Sequence, residues 1–245
     1  VLRVESLDAL VISSPIATHC AALQLASKAG VHVLCEKPLV SLAESDAVPA
    51  LLDEFVASDR VIVENCQWPR VLPALERLYP EIAGQPVREV AMGLGPTGAG
   101  RRMVEDSLSH FLSVLQALHP QEVVRAAHAE YSSRDSNASE LTLRMGFTAG
   151  ARQVEGSLHL LHCSAPPRPA WISVNGCRMD RRIQLPDYRQ TFHAADRRTP
   201  VDDPLGLLVY GFLQLIREPD VERTRETIRT IGERAGLYAE ILRRW

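Results

Sequence analysis

At 245 residues the chain has room for one large domain or two small ones, and its 46% hydrophobic and 23% charged content is that of an ordinary globular protein. A net charge of −3 gives no electrostatic case for binding nucleic acid or an anionic membrane surface. The longest apolar stretch, Leu205–Ile216, is broken by glycine and glutamine and is too short to span a bilayer, and the first residues lack the basic flank and apolar core of a secretion signal.

In chain order, Leu7–Ile12 is a short apolar run stopped by Ser13-Ser14-Pro15. Thr18–Ala29 carries apolar residues at helical spacing and closes on Gly30, a common helix stop. Val31–Cys35 reads as the next strand. Ser41, with Glu44 three residues on, predicts a capping box opening a helix to about Ser58, and Val61–Asn65 predicts a third strand. Strand, helix, strand, helix, strand implies parallel pairing with right-handed crossovers, so residues 1–66 are expected to form part of a doubly wound sheet.

From Trp68 the character changes. Arg70-Val71-Leu72-Pro73 leads into a helix to about Tyr79, Val87–Met92 reads as a strand, and Val104–Leu118 as an amphipathic helix. Strand-like segments follow near Val123–Tyr131, Leu141–Phe147, Gln153–His162, Trp171–Val174 and Arg182–Leu185. Strands without intervening helices predict an antiparallel sheet, hence an α+β domain over residues 67–245. Pro186–Pro204 reads as a linker or binding loop, and Leu205–Arg217 and Val221–Arg244 as two closing helices. The uncovered face of such a sheet is an association surface, so a homo-oligomer is expected. The arginine pairs Arg101-Arg102, Arg181-Arg182 and Arg197-Arg198 are expected to face solvent.

Five cysteines, odd in number and without metal-ligand spacing, read as small buried hydrophobes of a reducing, cytoplasmic compartment. His159 and His162 lie near Cys163 on a predicted strand with no further ligand pair, which favours ordinary strand histidines over a metal site.

Two places carry chemistry. The strand Val31–Cys35 ends abruptly in Glu36-Lys37-Pro38, which delivers an acid and a lysine to the carboxyl edge of a parallel sheet, where ligands bind. Of 27 basic residues only Lys28 and Lys37 are lysines, and an ammonium, unlike guanidinium, can exchange a proton near neutral pH. On the helix Val104–Leu118, Asp106 and His110 are four apart and share a face, a spacing that suits proton transfer by an imidazole oriented by a carboxylate. Each has a plainer reading, a solvated lysine and a dipole-complementing acid beside an ordinary histidine. Gly93-Leu94-Gly95-Pro96-Thr97-Gly98 matches GxGxxG, but Pro96 removes one amide and Gly98-Ala99-Gly100 delays the helix, so a loop is expected rather than a phosphate cradle.

In fixed order, Ser14-Pro15-Ile16-Ala17-Thr18-His19, Glu36-Lys37-Pro38, Arg70-Val71-Leu72-Pro73 and Asp106 four before His110 resemble the Gfo/Idh/MocA family (glucose–fructose oxidoreductase, inositol dehydrogenase, rhizopine catabolism) over nearly the whole chain. The resemblance implies a partial Rossmann sheet followed by a substrate domain, and an NAD- or NADP-dependent oxidoreductase acting on a sugar, polyol or similar hydroxyl or carbonyl compound. By the same resemblance Lys37 touches the reacting oxygen, His110 transfers the proton with Asp106 beside it, Ser14, Pro15, Glu36 and Lys37 line the cofactor, and the Lys37–Pro38 bond is cis. Two departures stand out: Ser113 occupies a position where the family commonly has an acid, and the family's opening strand, GxGxxG and second βα unit are not found, as though the sequence starts at about the fourth strand. An amino-terminally shortened dehydrogenase, for which Val1 in place of Met is compatible with a misplaced start or an excised fragment, is the leading expectation. A cofactor-independent lyase or isomerase, or a non-catalytic binding subunit, is the alternative.

Overall fold

The computed structural model describes residues 7–133 and 138–245; Val1, and with it the question of the start, lies outside them. The chain divides into two compact units, one made of residues 1–66 with 205–239, the other of residues 67–204 with 240–245.

In the first unit three parallel strands, β1 (Ala9–Ile12), β2 (His32–Cys35) and β3 (Ile62–Glu64), lie in that order. α1 (His19–Lys28) and α2 (Val48–Ala57) make the crossovers. Successive strand residues face opposite ways, so Val33 and Cys35 join one core and Leu34 another. The first core holds Leu23 of α1, Leu51 and Phe55 of α2, and Ile228 and Ile231 of α6 (Val221–Arg243). The second packs Leu34 and Val61 against Leu208, Phe212 and Leu215 of α5 (Pro204–Arg217). The helices after residue 204, grouped with the second domain on sequence, thus supply covers for the first sheet, because a parallel sheet needs both faces buried.

The capping box at Ser41 does not form. Ser41 Oγ donates to the Glu44 carboxylate instead of capping an amide, and Leu42–Ala47 is a 3-10 turn that becomes α-helical only at Val48. Pro49 lies in that first α-helical turn, where its missing N–H costs nothing.

The second unit is an eight-stranded sheet in the order β11-β10-β9-β8-β4-β7-β6-β5. These are β4 (Glu89–Leu94), β5 (Val124–Ser133), β6 (Glu140–Ala149), β7 (Arg152–Leu161), β8 (Ala170–Val174), β9 (Cys177–Gln184), β10 (Arg189–Ala194) and β11 (Arg197–Val201). It is mixed rather than wholly antiparallel, since β4 pairs parallel with β7. The stretch expected to be a loop contains β10 and β11, joined at Ala195-Asp196 with Ala195 at φ 50°. Phe192 and Ala194 alternate inward there between polar neighbours.

α3 (Leu72–Leu78) packs on β9, β10 and β11, and α4 (Arg101–Leu118) on β4 and β7. The opposite face is polar, not apolar: Thr142 and Ser157 bond His159, Arg178 bonds Asp180, and Thr191 bonds His193. Gly93 of the GxGxxG match is a strand residue on that face, where a Cβ would lie 1.9 Å from the Trp171 ring nitrogen. Its glycine makes room for an indole.

Gly156 performs a similar service on the covered face. A Cβ there would come within 2.8 Å of both Phe111 of α4 and Phe147 of β6, and both rings are fully buried. Gly156→Ala should therefore cost about 1–3 kcal/mol by overpacking. Urea unfolding checks this, and an unchanged midpoint would show that α4 can shift outward freely.

Candidate functional site

The first unit gathers its site residues at the carboxyl ends of its three strands. Ser14 and Pro15 follow β1, Glu36 and Lys37 follow β2, and Asn65 follows β3. The ladder runs on past the strands: the Glu36 amide donates to the Ile12 carbonyl (2.8 Å) and the Asn65 amide to the Cys35 carbonyl (2.7 Å). Asn65 Nδ2 donates to the Glu36 carboxylate, leaving Asn65 Oδ1 buried with no donor among the described residues.

The Lys37–Pro38 bond is cis, as the resemblance implies. Two buried groups hold the turn it makes. The His19 ring bridges the Ser14 carbonyl (Nε2, 2.8 Å) and the Pro38 carbonyl (Nδ1, 3.1 Å), tying the loop after β1 to the turn after β2. Glu64 accepts the Leu39 amide on one carboxylate oxygen (3.1 Å) and the Arg234 Nε on the other (2.6 Å). Glu64 is 5% and Arg234 6% exposed. Burial works against the Arg234 charge, but the nearby Glu64 carboxylate and Cys66 more than offset it and hold its pKa above the ordinary value. Burial, with the Glu64 and Glu36 carboxylates adding to it, pushes the Cys35 thiol far above its usual range, so Cys35 is inert packing at the strand end rather than a nucleophile.

His19, Glu64, Asn65 and Arg234 were not assigned roles from sequence. His19 sits in the Ser-Pro-x-x-x-His string, which was a signal without a function attached. Arg234 carried no signal, being one arginine among many on a long helix.

In the second unit, α4 carries Asp106 exposed and His110 half-buried one turn later. Ser113, in the position where the family commonly has an acid, is buried and donates to the His110 carbonyl (2.7 Å), so it serves the helix backbone. α4 also packs against the short 3-10 turn Trp68–Val71, which contains Arg70 of the motif.

Of the arginine pairs expected in solvent, two members, Arg181 and Arg101, are only partly exposed. Arg181 points to the covered side of β9, with its guanidinium 5.4 Å from the Trp68 ring. The strand alternation explains this: Arg182 and Asp180 take the open face and Met179 and Arg181 the covered one. Arg101 is also only partly exposed, donating to Glu105 and to the Leu242 carbonyl.

Among the described residues no group of three or more histidines, cysteines or acids is placed to hold a metal, and no helix is long and apolar enough to cross a membrane.

Residues 1–65 match the family model described as the Gfo/Idh/MocA oxidoreductase family, NAD-binding Rossmann fold. No curated protein matches the chain. Solved structures match at low identity over nearly all of it. An inositol dehydrogenase homologue from Azotobacter vinelandii, complexed with NADH and myo-inositol, is 16% identical with TM-score 0.66, covering 97% of this chain and 75% of that one. KijD10, a 3-ketoreductase from Actinomadura kijaniata in complex with TDP-benzene and NADP, is 17% identical with TM-score 0.69, covering 99% and 78%. UDP-N-acetylglucosamine 3-dehydrogenase GnnA from Acidithiobacillus ferrooxidans is 20% identical with TM-score 0.57, covering 96% and 79%. The resemblance read from the motifs is thus matched over residues 1–65 by the model of that family, and the chain as a whole shares its fold with these solved dehydrogenases and reductases.

Proposed function

We propose that the chain works as an NAD(P)-dependent oxidoreductase on a sugar, polyol or similar hydroxyl or carbonyl compound, with Lys37, His110 and Asp106 as its chemical residues. The observation that carries this reading is the Glu36–Leu39 turn, held by His19 and Glu64 at a parallel strand end inside the segment that matches the family. A lysine on a merely solvated turn needs no such clamp.

The residues present fit the nicotinamide end of the cofactor. Ser14 and Pro15 are exposed at one strand end, Glu36 and Lys37 flank them at the next, and Asn65 Oδ1 offers a buried acceptor with no donor. When bound, the cofactor supplies or accepts a hydride. Lys37 then donates a hydrogen bond to the substrate oxygen and stabilises the negative charge that grows on it. His110 takes the hydroxyl proton in the oxidising direction and returns it in the reducing one, while Asp106 orients the imidazole.

The test is titration of the protein with NADH and NADPH, followed by nicotinamide fluorescence, then a turnover screen with NAD+ and NADP+ as hydride acceptors, starting from myo-inositol and common aldoses. Reduced nicotinamide should accumulate with at least one polyol or sugar. Conversion of a candidate with no nicotinamide present would replace this reading with a lyase or isomerase. Neither binding nor turnover, together with a stable protein partner on pull-down, would replace it with a binding subunit.

A further inference from the structure

Arg181 is a cation in the wrong place for a protein that has no ligand for it. Its guanidinium donates to the Arg168 carbonyl (3.1 Å) and lies over the Trp68 ring, and these are its only partners among the described residues. Among the described residues its buried Nε has no acceptor and no carboxylate pairs with it, and burial lowers its pKa. The surroundings are neutral: Gln67 and Gln190 beside it, Trp68, Val71 and Phe192 beneath, with Trp68 and Phe192 edge to face at 6.3 Å. Between these side chains is a cavity of about 10 Å³, room for one oxygen atom and little more.

A partly desolvated guanidinium without a counter-charge is costly, and an apolar side chain of similar volume is often better tolerated at such a place. Arginine's planar fork is, however, the group of choice for receiving a carboxylate or phosphate oxyanion. The Trp68–Val71 turn that lines the cavity is the one on which α4, with His110, packs. We propose that Arg181 receives an anionic group, a carboxylate or phosphate, of the small molecule that this protein binds, with one oxyanion oxygen filling the cavity against Nε. The inference rests on the proposed function only for which molecule carries the anion. It narrows the substrate class to acidic or phosphorylated sugars and polyols.

The test measures binding rather than turnover. Wild-type protein, Arg181→Gln and the open-face control Arg182→Gln are titrated with D-glucuronate, D-glucose 6-phosphate and D-glucose, and tryptophan fluorescence is read, since Trp68 is in contact. Wild type and Arg182→Gln should bind at least one of the anions about tenfold or more tighter than glucose, a difference of ~1.4 kcal/mol. Arg181→Gln should lose that preference. Whether glucuronate or glucose 6-phosphate shows it identifies the oxyanion. No preference in wild type, or one that survives in Arg181→Gln, overturns the proposal.

A second measurement covers a folding defect. Arg181→Met without ligand should melt at the wild-type temperature or above, and a fall of more than ~4 °C would make Arg181 a structural group and end the proposal. An Arg181-dependent anion preference in a protein that never reduces nicotinamide would keep this site and remove the proposed function. Turnover of a neutral polyol untouched by Arg181→Gln would do the reverse.

Discussion

Glu64→Leu is expected to destabilise the protein by about 3–5 kcal/mol, because it leaves the Arg234 guanidinium buried without its carboxylate. For a chain of this size that is a fall in melting temperature on the order of 10 °C. Two effects are mixed in that number, and a second variant separates them. In Glu64→Leu with Arg234→Met the stranded charge is gone, so most of the loss should be recovered. What remains is the Leu39 amide, a buried donor that Glu64 no longer accepts, worth about 1–3 kcal/mol. Glu64→Gln should fall between, keeping an acceptor but no charge. If the double variant is no more stable than Glu64→Leu, the ion pair is not what makes Glu64 important. Because the Leu39 amide that Glu64 accepts closes the turn carrying Lys37, the same variants should also impair whatever Lys37 does, even under conditions where the protein stays folded.

The second large effect concerns the residues proposed to carry the chemistry. Lys37→Ala and His110→Ala should each lower turnover by roughly 10²–10⁴-fold, the range found when a positioned acid, base or oxyanion donor is removed. Neither should unfold the protein, since Lys37 and His110 are only partly buried and neither belongs to a core cluster. If the two act on one oxygen, the double variant should be little worse than the poorer single one. Losses that multiply would mean two independent roles, and near-normal turnover in either single variant would remove that residue from the reaction. Asp106→Asn should do less, because an exposed acid that orients an imidazole is partly replaced by water.

Much of this arrangement was legible in the residues. The alternation of short apolar runs with helix-period segments up to Cys66 has one common physical solution, parallel strands with crossover helices, and that is the one found. The abrupt Cys35-Glu36-Lys37-Pro38 ending marked the strand end, and the family resemblance implied the cis bond. What could not be read depends on contacts between distant parts of the chain. Glu64 and Arg234 are 170 positions apart, and nothing local tells a helical arginine which acid it will meet. The amphipathic patterns of α5 and α6 showed that each had an apolar face but not which sheet would take it. β10 and β11 were missed because their exposed positions are polar and their turn uses Ala195-Asp196 without a glycine, so the usual hairpin signature was absent. Arg181 was misplaced for a related reason: a pair of arginines reads as surface, while a strand sends neighbours to opposite sides.

The helical covering of the first sheet bears on anyone hoping to cut this protein into exchangeable modules. A fragment ending at residue 66 would look like a tidy nucleotide-binding cassette, yet it would leave behind Leu208, Phe212, Leu215, Ile228 and Ile231. At ~1.5–3 kcal/mol per lost large apolar side chain, the stripped cassette would collapse or clump in solution. Its Glu64 would meanwhile face the solvent that floods in where Arg234 had been. A graft that carried residues 205–239 along on a tether would keep both, so in this chain the natural seam for recombination is discontinuous in sequence.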